Sequence, residues 1–203
     1  MIGIDAALVA RARRLVVPGE RRLLGITGAP AAGKSTVASA LVTALHPHAV
    51  LVPMDGFHLA QRELDRLGRA ERKGAPDTFD GAGFVALTRR LAAAAEPVVY
   101  APEFRREIEE PIAGAIAVPR EVPLVVVEGN YLLLDEPPWQ DLAPLFAESW
   151  YLDPDESTRI SRLVARHMAF GRDEAQAIGR ALGSDQRNAE VILATRRRAT
   201  VIV

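Results

Sequence analysis

Apolar positions along the chain follow two rhythms, and each change of rhythm marks an element. Short, nearly continuous apolar runs lie at 22–27, 49–52, 124–127 and 149–152, with further short runs at 97–100 and 199–203. Their length and their lack of polar alternation predict strands, and Leu124-Val125-Val126-Val127 is the strongest buried one. Between the runs the spacing turns helical. Ile4, Leu8, Arg11 and Leu15 predict an amphipathic helix over 4–17 that Pro18-Gly19 ends. Val37, Leu41 and Leu45 recur after Lys34 until His46-Pro47 breaks the pattern. A short helix is expected over 59–67. Asp80 can cap another that carries Phe84, Leu87 and Leu91 on one face. Trp139 to Phe146 reads as a short helix or turn. Asp153-Pro154-Asp155-Glu156 opens a helix with a cap, a proline at its first position and acid in its first turn. Further helices are expected at about 173–182 and 186–197. Residues 68–79, charged and containing Gly68, Gly74 and Pro76, read as a loop. Residues 102–120 read as irregular, with Ile116-Ala117-Val118 an edge strand.

Strands that alternate with helices predict an α/β fold, a three-layer α/β/α arrangement around a mostly parallel central sheet. No linker separates a second domain, so 1–203 is expected to be one. In such sheets ligands bind beyond the carboxyl ends of the strands. Three chemical features follow apolar strands directly, and the pattern puts all three on one rim.

The first is Gly28-Ala29-Pro30-Ala31-Ala32-Gly33-Lys34-Ser35, which fits G-x-x-x-x-G-K-[ST] and sits between a strand and a helix as a P-loop must. The glycines allow backbone N–H groups to turn inward around phosphate oxygens, and the helix from Lys34 aims the positive end of its dipole at them. Lys34 would reach the β- and γ-phosphates, Ser35 would bind Mg²⁺ through its hydroxyl, and Thr36 lies near the α-phosphate. The second feature is Asp55 in Met54-Asp55-Gly56-Phe57-His58. The third is Glu128 in Glu128-Gly129-Asn130.

Composition narrows the class. With 49% hydrophobic and 25% charged residues, the 203-residue chain reads as globular, and its net charge of −1 argues against a broad nucleic-acid-binding surface. The chain has no cysteine, which excludes disulfides and thiolate metal sites and makes a reducing cytoplasm the easy compartment. No apolar run approaches the length of a membrane span, and residues 1–17 lack the ordered regions of a signal peptide. Among P-loop proteins, the chain lacks the Asn-Lys-x-Asp motif of GTPases and the Leu-Ser-Gly-Gly signature of transporter ATPases. Its second acidic strand ends in Glu128-Gly129-Asn130 rather than the paired Asp-Glu of helicase-like motors.

The ordered set of the P-loop, Met54–His58, Lys73-Gly74-Ala75-Pro76-Asp77-Thr78-Phe79-Asp80, Glu128–Leu133, Arg162-Leu163 with Arg166-His167, and Asp185 with Asn188-Ala189 resembles the small-molecule kinases that include uridine kinase, phosphoribulokinase and bacterial pantothenate kinase. Within them it is similar to a nucleoside/nucleotide kinase-like branch that includes proteins described as kinases of fructose transport systems. The resemblance implies ATP and Mg²⁺ as cofactors and a small-molecule hydroxyl as acceptor. It implies Asp55 as the group that takes the hydroxyl proton, and Glu128 with Ser35 as metal ligands. Lys34 and Arg166 would be catalytic. Gly28, Ala29, Pro30, Ala31, Ala32, Gly33, Lys34, Ser35, Thr36 and Arg162 would bind ATP. The acceptor would meet Asp55, His58, Tyr100, Arg106 and Asn130, although His58 reads nearly as well as an ordinary surface or core histidine.

Two points stay open. Many relatives carry Phe-Asp-Arg where this chain has Phe104-Arg105-Arg106. The extra arginine suits an anionic acceptor or simply pairs with Glu109. On the helix after Asp155, Ile160, Leu163, Val164 and Met168 form one face and Arg159, Arg162 and Arg166 the other. The basic face is a solvated surface or a lid, about 159–185, that closes over the transferring phosphate with Gly171 and Gly183 as hinges. Arg196-Arg197-Arg198 reads as a helix C-terminus complementing its dipole.

The resulting expectation is an ATP-dependent kinase of a sugar, nucleoside or pantothenate-like alcohol. Its rivals are an ATP-binding regulatory module and an NTPase that uses water. No nucleic-acid or membrane partner is expected, and a homodimer is among the assemblies left open.

Overall fold

The computed structural model describes residues 4–203. In chain order the elements are α1 (Ala6–Arg13), β1 (Arg22–Gly28), α2 (Lys34–Leu45), β2 (Ala49–Pro53), α3 (Gln61–Arg66), α4 (Gly81–Ala93), β3 (Val98–Arg105), β4 (Glu110–Pro119), β5 (Leu124–Glu128), β6 (Glu148–Leu152), α5 (Glu156–Ala169), α6 (Glu174–Leu182), α7 (Ser184–Leu193) and β7 (Val201–Ile202). Single 3-10 turns punctuate the connections, among them Met54–Phe57 and Pro76–Thr78.

Five strands make one parallel sheet in the order β2-β5-β1-β6-β7. The unbroken apolar runs follow from this position. Every residue of β5 is buried, because both faces of the sheet are covered. Leu23, Val52, Val125, Val127 and Tyr151 point to one side, where they meet Phe84, Leu87 and Leu91 of α4, Ile192 of α7 and the Trp139 ring. Leu24, Ile26, Leu124, Val126 and Trp150 point to the other, against Ala12 of α1 and Ala38, Leu41 and Leu45 of α2. Each large side chain so placed contributes on the order of 1.5–3 kcal/mol of burial. Register aligns the strand ends that matter: Ile26 and Pro53 both lie opposite Glu128, and Gly28 lies opposite Leu152. No helix among the described residues is long and apolar enough to cross a membrane.

The sequence-based expectation of irregular chain over 102–120 is overturned. β3 and β4 pair antiparallel from Val98–Pro119 to Arg105–Glu110, with a bulge between Ala101 and Glu103. Val118 is the only buried residue of β4, so the alternation that marks a half-buried strand is missing, and backbone ladder bonds alone define the element. This hairpin lies on the Met54–Phe57 turn so closely that a Cβ on Gly56 would sit 2.4 Å from the Pro102 carbonyl oxygen.

Three helix boundaries also differ. α1 is shorter than 4–17, because the Asp5 carboxylate accepts from the Ala7 N–H at 2.8 Å and starts it there. α5 begins at Glu156, after Pro154. Asp153 is drawn instead to Arg196, Nε to Oδ2 2.7 Å. α7 stops at Leu193, and Arg196–Arg198 form a separate turn. Its arginines therefore pair with Asp153 and Asp135 rather than complementing a helix end.

Candidate active site

A cavity of about 580 Å³ opens above the carboxyl ends of β1, β2 and β5. Its floor is the P-loop. β1 runs straight into it, and Gly33 at φ 98° turns the chain into α2, a conformation that side chains on L-residues rarely take. Lys34 is buried, and its ammonium donates to the carbonyls of Gly28 at 2.9 Å and Ala29 at 3.1 Å. Burial pushes its pKa down, against the opposing pull of Glu128 and Asp55. The loop is thus curled around its own lysine, with the start of α2 facing the cavity.

The Ser35 hydroxyl donates to Glu128 Oε2 at 3.3 Å, so a hydroxyl from α2 and a carboxylate from β5 converge on one point. Burial pushes the Glu128 carboxyl up to about 7, with the Lys34 charge opposing the shift. A buried carboxylate with a hydroxyl beside it is a pair of oxygen donors that suits a divalent cation, whose charge would favour the ionised form.

Asp55 stands at the end of β2 on the Met54–Phe57 turn, with Arg106 Nη2 at 3.4 Å from its Oδ2. Its backbone carbonyl accepts from the His58 Nδ1–H at 2.8 Å. Burial lowers the His58 pKa and keeps the ring neutral, which leaves Nε2 as a lone-pair acceptor. The ring packs between Phe79 (centroids 4.0 Å apart) and Phe104 (4.8 Å), and Lys73 Nζ lies 5.3 Å from the centre of Phe104.

α5 and the turn after it form the roof. The two expected faces of α5 are not kept apart. Arg159 is buried and bonded to Gln186, while Met168 of the expected apolar face is 46% exposed. The inward stripe is Arg159, Leu163 and Arg166, because α7 presents polar groups there rather than a plain apolar surface. Arg166 lines the cavity, and burial and the nearby Arg106 charge both lower its pKa. Arg162 does not line the cavity. Its Nη1 lies 3.9 Å from where a Cβ on Gly33 would stand, over the P-loop turn. His167 Nε2 bonds Asp185 Oδ2 at 2.6 Å and so ties α5 to α7. Arg180 of α6 donates to the carbonyls of Glu71 (3.2 Å) and Lys73 (3.1 Å), which tethers the roof to the loop below. Gly171 has φ 91°, in keeping with a sharp turn there, whereas Gly183 is the cap of α7.

Of the site residues expected from sequence, Pro30, Lys34, Ser35, Asp55, His58, Arg106, Glu128, Asn130 and Arg166 share this one cavity. Tyr100 is not brought to it: on β3 it points outward and is 59% exposed, because alternation turns Val99 and Ala101 into the core instead. Arg105 pairs with Glu103 (3.4 Å), not with Glu109. Lys73, Phe79, His167, Arg172 and Asp185 also line the cavity, although sequence reasoning assigns them no role there. The available signal was their membership, Arg172 apart, of the ordered family pattern. Nothing in their local spacing pointed to a ligand.

No family model matches the chain. It is 35% identical over 192 residues to a protein of Schizosaccharomyces pombe named "putative uridine kinase", spanning 89% of this chain and 82% of that protein. It is 38% identical over 152 residues to the ATP-dependent kinase-like protein notR' of Aspergillus versicolor, spanning 70% of this chain and 88% of the other. Among solved structures it matches the "putative fructose transport system kinase" of Silicibacter sp. TM1040 with TM-score 0.90 and 39% identity, over 99% of this chain and 100% of that one. The cavity at the strand ends and these relationships lead to one conclusion: the chain belongs to the uridine kinase-like family of P-loop kinases and is a phosphotransferase.

Proposed function

We propose that the chain transfers the γ-phosphoryl group of ATP to a hydroxyl of a small molecule, with Asp55 receiving the hydroxyl proton. The bond from the γ-phosphorus to the ADP oxygen breaks, the acceptor oxygen bonds to that phosphorus, and ADP leaves. The observation that carries the reading is the Asp55 carboxylate, open to the same cavity as Lys34 and the Ser35–Glu128 pair. A nucleotide-binding module has no need of a carboxylate there, whereas transfer to an alcohol does. In this reading the P-loop amides and Lys34 hold the phosphates, Arg166 offsets charge on the moving phosphoryl group, and Arg162 covers the P-loop turn. Magnesium, when held by Ser35 and Glu128, would neutralise phosphate charge. His58, Arg106 and Asn130 orient the acceptor, and the roof excludes water. The acceptor classes compatible with this site are sugars and related alcohols, nucleosides and pantothenate-like molecules.

The test is Asp55→Asn, which keeps size and removes the proton acceptor. Phosphoryl transfer to the best acceptor of a sugar, nucleoside and pantothenate screen should fall by about 10²–10⁴-fold, chiefly in kcat. A loose transition state, in which the hydroxyl is deprotonated late, would put the loss at the lower end. ATP affinity, measured separately by titration, should change little. An unchanged rate would remove Asp55 from the proton-accepting role. No acceptor in the screen, together with slow ATP hydrolysis indifferent to Asp55→Asn, would favour the regulatory module.

A further inference from the structure

Charge partners on the upper side of the cavity do not balance. Lys73 pairs with Glu109 (3.4 Å), the Asp185 carboxylate bonds His167 Nε2 (2.6 Å) while His167 Nδ1 accepts from Arg172 Nη1 (3.4 Å), and Arg180 donates to two backbone carbonyls. Across the whole lining six cations, Lys34, Lys73, Arg106, Arg166, Arg172 and Arg180, face four carboxylates, Asp55, Glu109, Glu128 and Asp185, and the one carboxylate contact of Arg106, to Asp55, is a long 3.4 Å. Among the described residues no carboxylate lies within 4.0 Å of Arg166 or Arg172. Two independent segments supply the excess. Arg106 is on the tip of the β3–β4 hairpin, and Arg172 is on the turn after α5. Both line the cavity, and the Arg106 guanidinium carbon lies 5.9 Å from the ring centre of Phe170, two residues before Arg172 in the chain. Burial, then the Arg106 charge, lower the Arg166 pKa, and Asp185, Asp55 and Glu128 pull the other way. Like charges crowded into a half-enclosed site are unfavourable unless an anion joins them.

The transferring phosphoryl group accounts for Arg166. A neutral sugar or nucleoside would leave Arg106 with only its long contact to Asp55, and Arg172 with only the His167 ring nitrogen. We propose that Arg106 and Arg172 form an oxyanion subsite, and that the acceptor is a compact alcohol carrying a phosphate or carboxylate group. This rests on the kinase reading and narrows its substrate class. The His58, Phe79 and Phe104 wall would take the carbon skeleton, with His58 Nε2 accepting from a second hydroxyl.

Two measurements test it. In the first, inorganic phosphate is titrated calorimetrically into protein saturated with magnesium and a non-hydrolysable ATP analogue, so that the nucleotide's own phosphate positions are filled. One phosphate should bind per chain. Arg106→Gln and Arg172→Gln should each weaken it by about tenfold, the effect of one charge-assisted hydrogen bond, while analogue affinity stays the same. No phosphate binding, or binding indifferent to both substitutions, overturns the subsite. In the second, transfer is compared within matched pairs: glycerol against glycerate and glycerol phosphate, ribose against ribose 5-phosphate, pantothenol against pantothenate. The anionic member should have the higher kcat/KM, and Arg106→Gln should narrow the difference. The preferred member separates phosphate from carboxylate. Equal or better transfer to the neutral members overturns the inference and leaves the kinase reading standing. Phosphate that binds as expected, without transfer to any acceptor and with ATP turnover indifferent to Asp55→Asn, removes the kinase reading and leaves the anion subsite.

Discussion

Residues 28–36, on the proposed nucleotide side of the cavity, are consecutive, and the groups they would offer to phosphate are backbone amides and the buried Lys34. On the proposed acceptor side, Asp55, Lys73, Arg106 and Arg172 come from four separate segments and act through side chains. The first region is held by the parallel sheet beneath it, since β1 is buried on both faces and hydrogen-bonded on both edges. The second is held by a hairpin lying on one turn, by the His167–Asp185 bond and by the tether from Arg180. The phosphate chain of a nucleotide is the same whatever the acceptor, so a rigid local cradle suffices for it. An acceptor differs from enzyme to enzyme, and exposed loops on a fixed scaffold can vary without cost to the core.

The sharpest way to break this contrast is Lys34→Ala. Removing one preorganised charge from the shared machinery should lower transfer by about 10²–10³-fold with every acceptor alike, and should weaken nucleotide binding. Circular dichroism should show the fold unchanged. Full activity in this variant would end the P-loop kinase account.

A substitution that moves only the acceptor side is Gly56→Val. Its side chain must displace the Pro102 carbonyl and with it the hairpin that carries Arg106. Overpacking of about 1–3 kcal/mol should lower Tm by roughly 5 °C. The KM for the acceptor should rise by about tenfold while nucleotide affinity holds, because a small misplacement of a positioning group is enough to spoil alignment. Equal loss of nucleotide and acceptor binding would show that the two regions are one unit. Gly56→Ala offers a milder displacement should the valine variant fold poorly.

The smallest effect is expected from Tyr100→Ala. Tyr100 belongs to the same hairpin but faces outward, so stability and acceptor KM should both stay within about twofold. A large rise in acceptor KM would mean that the hairpin turns its other face to the ligand during turnover.

Much of this protein could be read without a structure wherever the physics is local. The strand–loop–helix order around Lys34, the Asp80 cap of α4 (Gly83 N–H to Oδ1 at 2.8 Å) and the double-sided burial of β5 each depend on a few neighbouring residues. Asp55 and Glu128 were also legible, because each ends an apolar strand and parallel strands bring their carboxyl ends to one rim. The β3–β4 hairpin was not. Its outer strand faces water, so its sequence carries no burial rhythm. Tyr100 lies away from the cavity for a related reason: along a strand one step decides between core and solvent, and no burial rhythm in the hairpin sequence says which step faces inward.

By itself the sequence determined that this is a parallel α/β protein with a phosphate cradle at one strand end and two carboxylates beside it. Those features follow from chain order and from strong local patterns. Only the tertiary structure decided which distant side chains share the cavity, that Arg159 is buried while Arg162 lies over the P-loop turn, and that Arg106 and Arg172 line one cavity whose cations outnumber its carboxylates. Such proximities arise from loops and helix faces packed across long sequence separations. The exposed residues involved bury little apolar surface, so no periodicity records where they will meet.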